Sequence, residues 1–218
     1  MSKSAVLIGA TGLVGSSLLT LLLADANYSK ITALVRKQQQ WNHPKLTTAV
    51  VDFNKQASWE HLLKGDDLFI CTGTTIKKAG SQQAFRAVDF DLPFELAKQA
   101  RQNKMKQCIL VSALGAATNS RFFYPRVKGE LEQAIADLKF ECTLLIQPSV
   151  LLGIRTESRP LEFISQGIMR ELRFLFIGPF YDYRAISGYQ VAKAMLFYAN
   201  KAMTGVHRIK GKALFKLN

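Results

Sequence analysis

KSAVLIGATGLVGSSLLTLLL, residues Lys3 to Leu23, is the stretch from which the rest of the chain is read. Ala5-Val6-Leu7-Ile8 is a short apolar run with the length and branching of a buried parallel strand. Gly9, Gly12 and Gly15 follow at intervals of three. Leu13, Val14, Leu18, Leu19 and Leu21 to Leu23 come behind them, apolar nearly all round, as in a helix packed on a sheet. Strand, glycine turn and helix together give a glycine pattern its meaning as a dinucleotide site. Gly9 permits the tight turn, Gly12 lets backbone N–H groups approach a pyrophosphate, and Gly15 lets the helix sit close to the strand. The start of the helix, taken from Thr11 through Leu13 and Val14, offers partial positive charge and unpaired N–H donors. The first gap of G-x-x-G-x-x-G is one residue longer than in the commoner G-x-G-x-x-G. A ligand-free αβ connection is the plain alternative, and the stretches that follow weigh against it.

Downstream, Ile31 to Val35 reads as a second strand ending in Arg36-Lys37. A carboxylate about 20 residues past the glycines is the usual partner of the ribose 2′-hydroxyl of NAD, whereas an Arg accommodates the 2′-phosphate of NADP. No Asp or Glu occurs between Asp25 and Asp52. Arg36 offers a planar fork to a phosphate and Lys37 adds point charge, which puts NADP(H) ahead of NAD(H). Thr47 to Val51 makes a third strand. It ends at Asp52, before Phe53, where a carboxylate is placed either to accept from an adenine amino group or to cap a turn. Ser58 to Leu63 reads as a short helix with Ser58 at its N-cap. Asp67 to Cys71 is the fourth strand, and the small residues Thr72-Gly73-Thr74-Thr75 after it would let the backbone approach the cofactor ribose.

Ser81 to Asn103 fits one long helix, with Pro93 predicting a kink or break near Asp91. Gln107 to Ser112 is the fifth strand, Arg121 to Leu138 a helix, and Cys142 to Ile146 the sixth strand, closed by Gln147-Pro148-Ser149. Short buried strands alternating with amphipathic helices imply an α/β fold with a doubly wound parallel sheet. Helical pieces at 161–170 and 191–199, with a loop over 175–188, read as a small C-terminal substrate-side lobe of one domain spanning 1–218, the lobe taking 150–218.

A chain of 218 residues with 48% hydrophobic content holds one such domain and its core. No apolar run is long enough to span a bilayer, and the N-terminal stretch does not read as a signal peptide. Cys71, Cys108 and Cys142 lack C-x-x-C spacing and read as buried reduced thiols, with a cytoplasmic location expected. His43, His61 and His207 have no metal-ligand spacing, so no metal is expected. The net charge of +13 would attract a phosphorylated cofactor, an acidic substrate or nucleic acid. Without zinc-finger spacing, a basic heptad helix or an aromatic RNA-binding signature, nucleic acid is the weakest of these.

Tyr124 and Lys128 lie four apart, on one face of a helix, and Ser112 ends the preceding strand at the ligand edge of the sheet. These three suit hydride transfer between a nicotinamide and a carbonyl or alcohol. Tyr124 would exchange the proton, an ammonium at Lys128 would favour the phenolate and bind the nicotinamide ribose, and Ser112 would hold the substrate oxygen. Gly9–Gly15, Val51-Asp52-Phe53, Gly73-Thr74-Thr75 with Lys78-Ala79-Gly80, Tyr124 with Val127 to Glu130, and Arg155 with Glu157 to Pro160 carry a resemblance. The chain resembles the atypical, extended short-chain dehydrogenase/reductases with their NAD(P)-binding Rossmann fold, and within them the HIV-Tat-interacting-protein-like oxidoreductases. The resemblance implies NADP(H) binding and a catalytic Ser112, Tyr124 and Lys128. It implies no particular substrate, and some members act through protein partners.

In the loop Gly153 to Pro160, Arg155 or Arg159 would bind an acidic group of a small-molecule substrate, or else pair with the loop's Glu. Tyr181, Tyr183 and Arg184 are a second candidate flap. The leading expectation is an NADP(H)-dependent oxidoreductase acting on a small carbonyl or hydroxyl compound. The alternatives are an NADPH-binding regulatory protein with a protein partner, and a nucleotide-sugar epimerase or dehydratase, against which Arg36 argues.

Overall fold

The chain was described from a computed structural model, which covers residues 2–152 and 184–217. The apolar runs form the strands β1 (Lys3–Ile8), β2 (Tyr28–Val35), β3 (Leu46–Val50), β4 (Asp67–Ile70), β5 (Gln107–Val111) and β6 (Cys142–Gln147). Between them lie α1 (Leu13–Ala24), α2 (Ile76–Ala79), α3 (Gln82–Arg86), α4 (Leu92–Gln102) and α5 (Phe123–Ala136). Two short strands, β7 (Leu151–Leu152) and β8 (Ile186–Ser187), pair in parallel, and α6 (Gly188–Ala199) and β9 (Gly205–Lys210) complete the described residues.

Seven strands make one sheet in the order β3-β2-β1-β4-β5-β6-β9, every pair parallel. Its first six positions have the 3-2-1-4-5-6 order of doubly wound dinucleotide folds, which reverses direction between β1 and β4 and opens a crevice at their carboxyl ends. The period of two sorts the strand side chains into two layers. Leu7, Phe69, Ile109 and Leu144 pack under Leu18, Leu22, Val191 and Met195 of α1 and α6. Val6, Ile8, Leu68, Leu110 and Leu145 pack under Leu96, Ala100, Leu131 and Ile135 of α4 and α5. Each of the larger of these side chains (Val, Leu, Ile, Phe, Met), fully removed from water, contributes about 1.5–3 kcal/mol.

Two sequence expectations change, and a third, the break near Asp91, takes a definite form. The residues past 150 are not solely a lobe: α6 packs on α1 and β9 extends the sheet beside β6. GVHRIK hides its strand character because only Ile209 is buried and its charges guard an edge. The helix expected from Ser58 to Leu63 is instead two 3₁₀ turns, Gln56–Ser58 and Glu60–Leu62, and the Ser58 hydroxyl donates to the Asp52 carbonyl at 2.8 Å rather than capping. The long helix from Ser81 is α3, a π-turn over Ala87–Asp91, and α4. Pro93 has no N–H and its ring would strike the carbonyl of Asp89 in a regular α-helix, so the widened turn falls where the proline requires it.

Candidate functional site

The glycine turn sits at the β1–β4 reversal. Gly9 has φ +82°, and a Cβ there would lie 2.7 Å from both the Cys71 carbonyl carbon and its oxygen. A Cβ on Gly15 would lie 2.0 Å from the Gly9 oxygen, so helix and turn are packed backbone to backbone. Gly12 donates its N–H to the Gly9 carbonyl at 2.9 Å and precedes α1 with no side-chain cap. The N–H groups of Leu13, Val14 and Gly15, in the first turn of α1, are therefore left without an intrahelical partner or cap, while the Val14 side chain is in the core and Thr11 is exposed beside it. An anion with the reach of a pyrophosphate fits this cradle. Thr72, just past β4, carries a buried hydroxyl oxygen with no hydrogen-bond partner among the described residues, an orphan suited to a ribose or phosphate group.

At the end of β2, Arg36 and Lys37 are both exposed, and the Arg36 guanidinium has no hydrogen bond or ion pair among the described residues. Asp52 caps a turn, accepting from the Asn54 N–H at 3.1 Å with Lys55 3.9 Å away, and keeps an exposed carboxylate. Phe53 packs against the layer under α4 and α5. After β4, Thr74 donates its N–H to Asp89 Oδ2 at 2.8 Å, with Gly73 alongside, and the Thr75 hydroxyl caps α2 by accepting from the Lys78 N–H.

Tyr124 stands in the first turn of α5, 39% exposed, its ring 5.6 Å from that of Phe85. One turn on, the Lys128 ammonium is buried, 2.7 Å from Oδ1 of an equally buried Asp89. A single carboxylate on the π-turn thus holds both the lysine and the backbone of the Thr72–Thr75 segment. Asp89 was not among the residues expected from sequence. Its signal was there: it falls in helical register with Phe85, Leu92 and Leu96, a charge on an apolar stripe.

Ser112, the residue expected to hold a substrate oxygen, follows directly on β5 and is buried. Continuing the alternation of Cys108 and Leu110, it turns under α5 and donates to Glu132 Oε1 at 2.5 Å. Glu132 is two helical turns from Tyr124, about 12 Å along the axis at 1.5 Å per residue. The buried Glu132 also accepts from Gln147 Nε2 at 2.8 Å and Arg208 Nε at 3.1 Å, joining the ends of β5 and β6 to α5 and β9. Ser112→Ala is expected to lower stability by about 1–3 kcal/mol in urea denaturation, because a buried carboxylate loses one of its donors. A change below about 0.5 kcal/mol would dismiss the network.

Pro148 is buried and its carbonyl accepts from the Leu114 N–H at 2.8 Å, while the Ser149 hydroxyl donates to the Arg184 carbonyl. Both residues, expected from the sequence to border the cofactor, brace loops at the end of β6. Arg155, Arg159, Tyr181 and Tyr183, with the helix expected at 161–170, lie outside the described residues. Burial pushes the Cys71 thiol pKa well above its ordinary value, which makes it a poor nucleophile beside the glycine turn. Among the described residues there is no disulfide, no cluster able to hold a metal ion, and no helix long and apolar enough to cross a membrane.

The profile of a family described as NAD(P)H-binding matches residues 9–150, from the glycine turn to the end of β6 and just beyond. The protein named "Protein FMP52, mitochondrial" of Lodderomyces elongisporus is 35% identical over 170 residues, 73% of this chain and 71% of that one. "Protein HTATIP2" of Rattus norvegicus is 36% identical over 169 residues, 76% of this chain and 69% of its own. Among solved structures, a UDP-N-acetylglucosamine 4-epimerase from Methanobrevibacter ruminantium, in complex with UDP-N-acetylmuramic acid, superposes with TM-score 0.70 at 18% identity. It covers 96% of this chain and 76% of its own and shares the fold. The fungal relatives are named mitochondrial, which overturns the expectation of a cytoplasmic location. Reduced thiols bear on redox conditions and not on the compartment.

Proposed function

The chain belongs to the NAD(P)H-binding family, as an atypical short-chain-dehydrogenase-like protein related to FMP52 and HTATIP2, and from that premise we propose that it is an NADP(H)-dependent oxidoreductase of small carbonyl or hydroxyl compounds. One observation supports this above the others. A partly exposed phenol, Tyr124, precedes a buried ammonium, Lys128, by one helical turn, in a sheet whose reversal point carries an uncapped helix behind a glycine cradle. The bound nicotinamide would give or take the hydride. The chain's own residues do the rest. Gly9, Gly12 and Gly15 keep side chains out of the pyrophosphate's place, and the α1 N–H groups bind it. The Thr72–Thr75 segment and Lys128 receive a ribose, and Tyr124 passes a proton to or from the substrate oxygen. The test is consumption of NADPH across a panel of aldehydes, ketones and quinones. Binding without consumption across that panel would favour the cofactor-sensing reading instead.

The preference for NADP(H) is carried by Arg36, which has no hydrogen-bond or ion-pair partner among the described residues to give up. A charge-assisted bond to the 2′-phosphate contributes about 1.5–3 kcal/mol, or a factor of about 10–100 in affinity. Arg36→Ala is expected to weaken NADPH by that factor in a fluorescence titration and to leave NADH unchanged. Equal affinity of the wild type for both nucleotides would end the assignment.

A further inference from the structure

The two edges of the sheet are finished differently. At β9, Arg208 and Lys210 are exposed and charge the edge. At β3, the sequence LTTAV carries no charge and no proline, and it pairs with β2 in unbroken register. Lysine, proline and bulges are devices that keep an edge strand from pairing further, and β3 has none of them. Its backbone is set to pair. Ile31 donates to the Lys45 carbonyl at 2.8 Å and Val51 to the Val35 carbonyl at 2.9 Å, so the odd-numbered residues here point their polar groups at β2. The even-numbered ones point outward. Leu46 donates its N–H to the His43 carbonyl at 2.9 Å. The Leu46 carbonyl, and the N–H and carbonyl of Thr48 and Val50, have no hydrogen bond among the described residues. Leu46 packs on the layer under α1 and α6, and Ala49 on the opposite layer, so Val50 falls on the Leu46 face, where it is 52% exposed. On that face Leu46 borders a cavity of about 420 Å³, together with Trp41 and with Leu19 and Leu23 of α1.

We propose that β3 is a dimer interface, pairing antiparallel with β3 of a second copy of this chain about a two-fold axis at Thr48. A self-complementary edge contact of this kind brings the same strand together in opposite senses. In that register Thr48 meets Thr48 of the second copy and the two exchange both bonds. Val50 donates to the Leu46 carbonyl of the second copy, and the reverse. Each Val50 is thereby set beside the other copy's Leu46, at the cavity that Trp41 lines. Charge is matched to a second copy. The chain carries +13, so two copies repel over most of their surfaces, but residues 46–51 are uncharged. Lys45 precedes that stretch and Asp52 follows it, so the antiparallel sense lays the basic end of one strand beside the acidic end of the other. β2 and β1 stand between β3 and β4, so the contact leaves the nucleotide crevice open and is independent of the oxidoreductase reading.

A pair of five-residue strands is a small interface, and a dissociation constant of about 10–100 µM is expected. Sedimentation of the intact chain over about 5–500 µM reads it as a concentration-dependent shift from monomer to dimer. Amide hydrogen exchange over the same range identifies the surface: exchange over 46–51 slows as concentration rises, and exchange over β9 does not. Val50→Lys is expected to weaken the dimer by at least about tenfold, because it charges the edge and sets an ammonium beside an apolar cavity. Val206→Lys, the same change at an exposed valine of the β9 edge, leaves the dimer unchanged. Thr48→Pro abolishes the dimer and keeps the fold, since the N–H it removes points away from β2, where an edge strand tolerates proline. If circular dichroism shows Thr48→Pro unfolded, Val50→Lys decides alone, its side chain being on the surface already. A chain still monomeric at about 500 µM, or a dimer that Val50→Lys leaves unchanged, overturns the proposal. So does slowed exchange over 46–51 that appears only when an extended peptide of unrelated sequence is added, which makes β3 a receptor for another chain.

Discussion

Gly15→Ala is expected to abolish nucleotide binding, with an affinity loss of at least about 100-fold, and to destabilise the fold by about 3 kcal/mol, the upper end of what overpacking costs. The added Cβ would lie 2.0 Å from the Gly9 oxygen, 2.7 Å from its carbonyl carbon and 3.1 Å from Ala10 Cα. All three are backbone atoms, so no rotamer change relieves the contact. Helix α1 would have to move off the turn by more than 1 Å to restore an ordinary separation. That movement carries away the N–H groups of Leu13 and Val14, whose direction toward the crevice is what the uncapped N-terminus provides. Gly12→Ala is the internal control, since its Cβ would meet the Gly9 oxygen at 3.3 Å, a contact that a shift of a few tenths of an ångström removes. The two variants separate a turn that must be glycine to close from one that must be glycine to admit a ligand. Chemical denaturation and titration with NADPH by fluorescence read both. If Gly15→Ala binds within tenfold of the wild type, the turn does not hold the nucleotide.

How much of this was legible follows from where each residue points. β1, β4, β5 and β6 are buried on both faces, so their continuous apolar runs announced a parallel sheet without any partner being known. The glycines were legible because a backbone-to-backbone approach excludes every other residue type. β9 was not, since an edge strand buries little and GVHRIK spends its surface on charge. The partner of Ser112 was not legible for a related reason. Its place at the end of a strand was right, but the face it turns toward depends on Glu132, Gln147 and Arg208, three residues from three separate elements. Asp89 and Glu132 left a trace as charges in apolar helical register, which burial permits only when they are paired. The partner could not be read that way, because the Asp89–Lys128 contact spans 39 positions and depends on a π-turn that a proline makes.

Tyr124→Phe is expected to lower kcat and kcat/KM together by about 10²–10⁴, the contribution typical of a positioned general acid or base, with nucleotide affinity unchanged. The substitution removes one oxygen and keeps the ring. That ring packs at 5.6 Å against Phe85, and a phenylalanine retains the contact in a residue already 39% exposed, so the fold and its melting temperature should hold. Lysine gives no such clean comparison. Lys128→Met would strand the buried Asp89 carboxylate and cost about 3–5 kcal/mol, so lost activity there would not separate chemistry from structure. Loss in both parameters at constant nucleotide affinity is the signature of an interaction made in the transition state, which is what proton transfer to a substrate oxygen requires. A rise in KM alone would make Tyr124 a binding group. Turnover within threefold of the wild type would remove the phenol from the reaction.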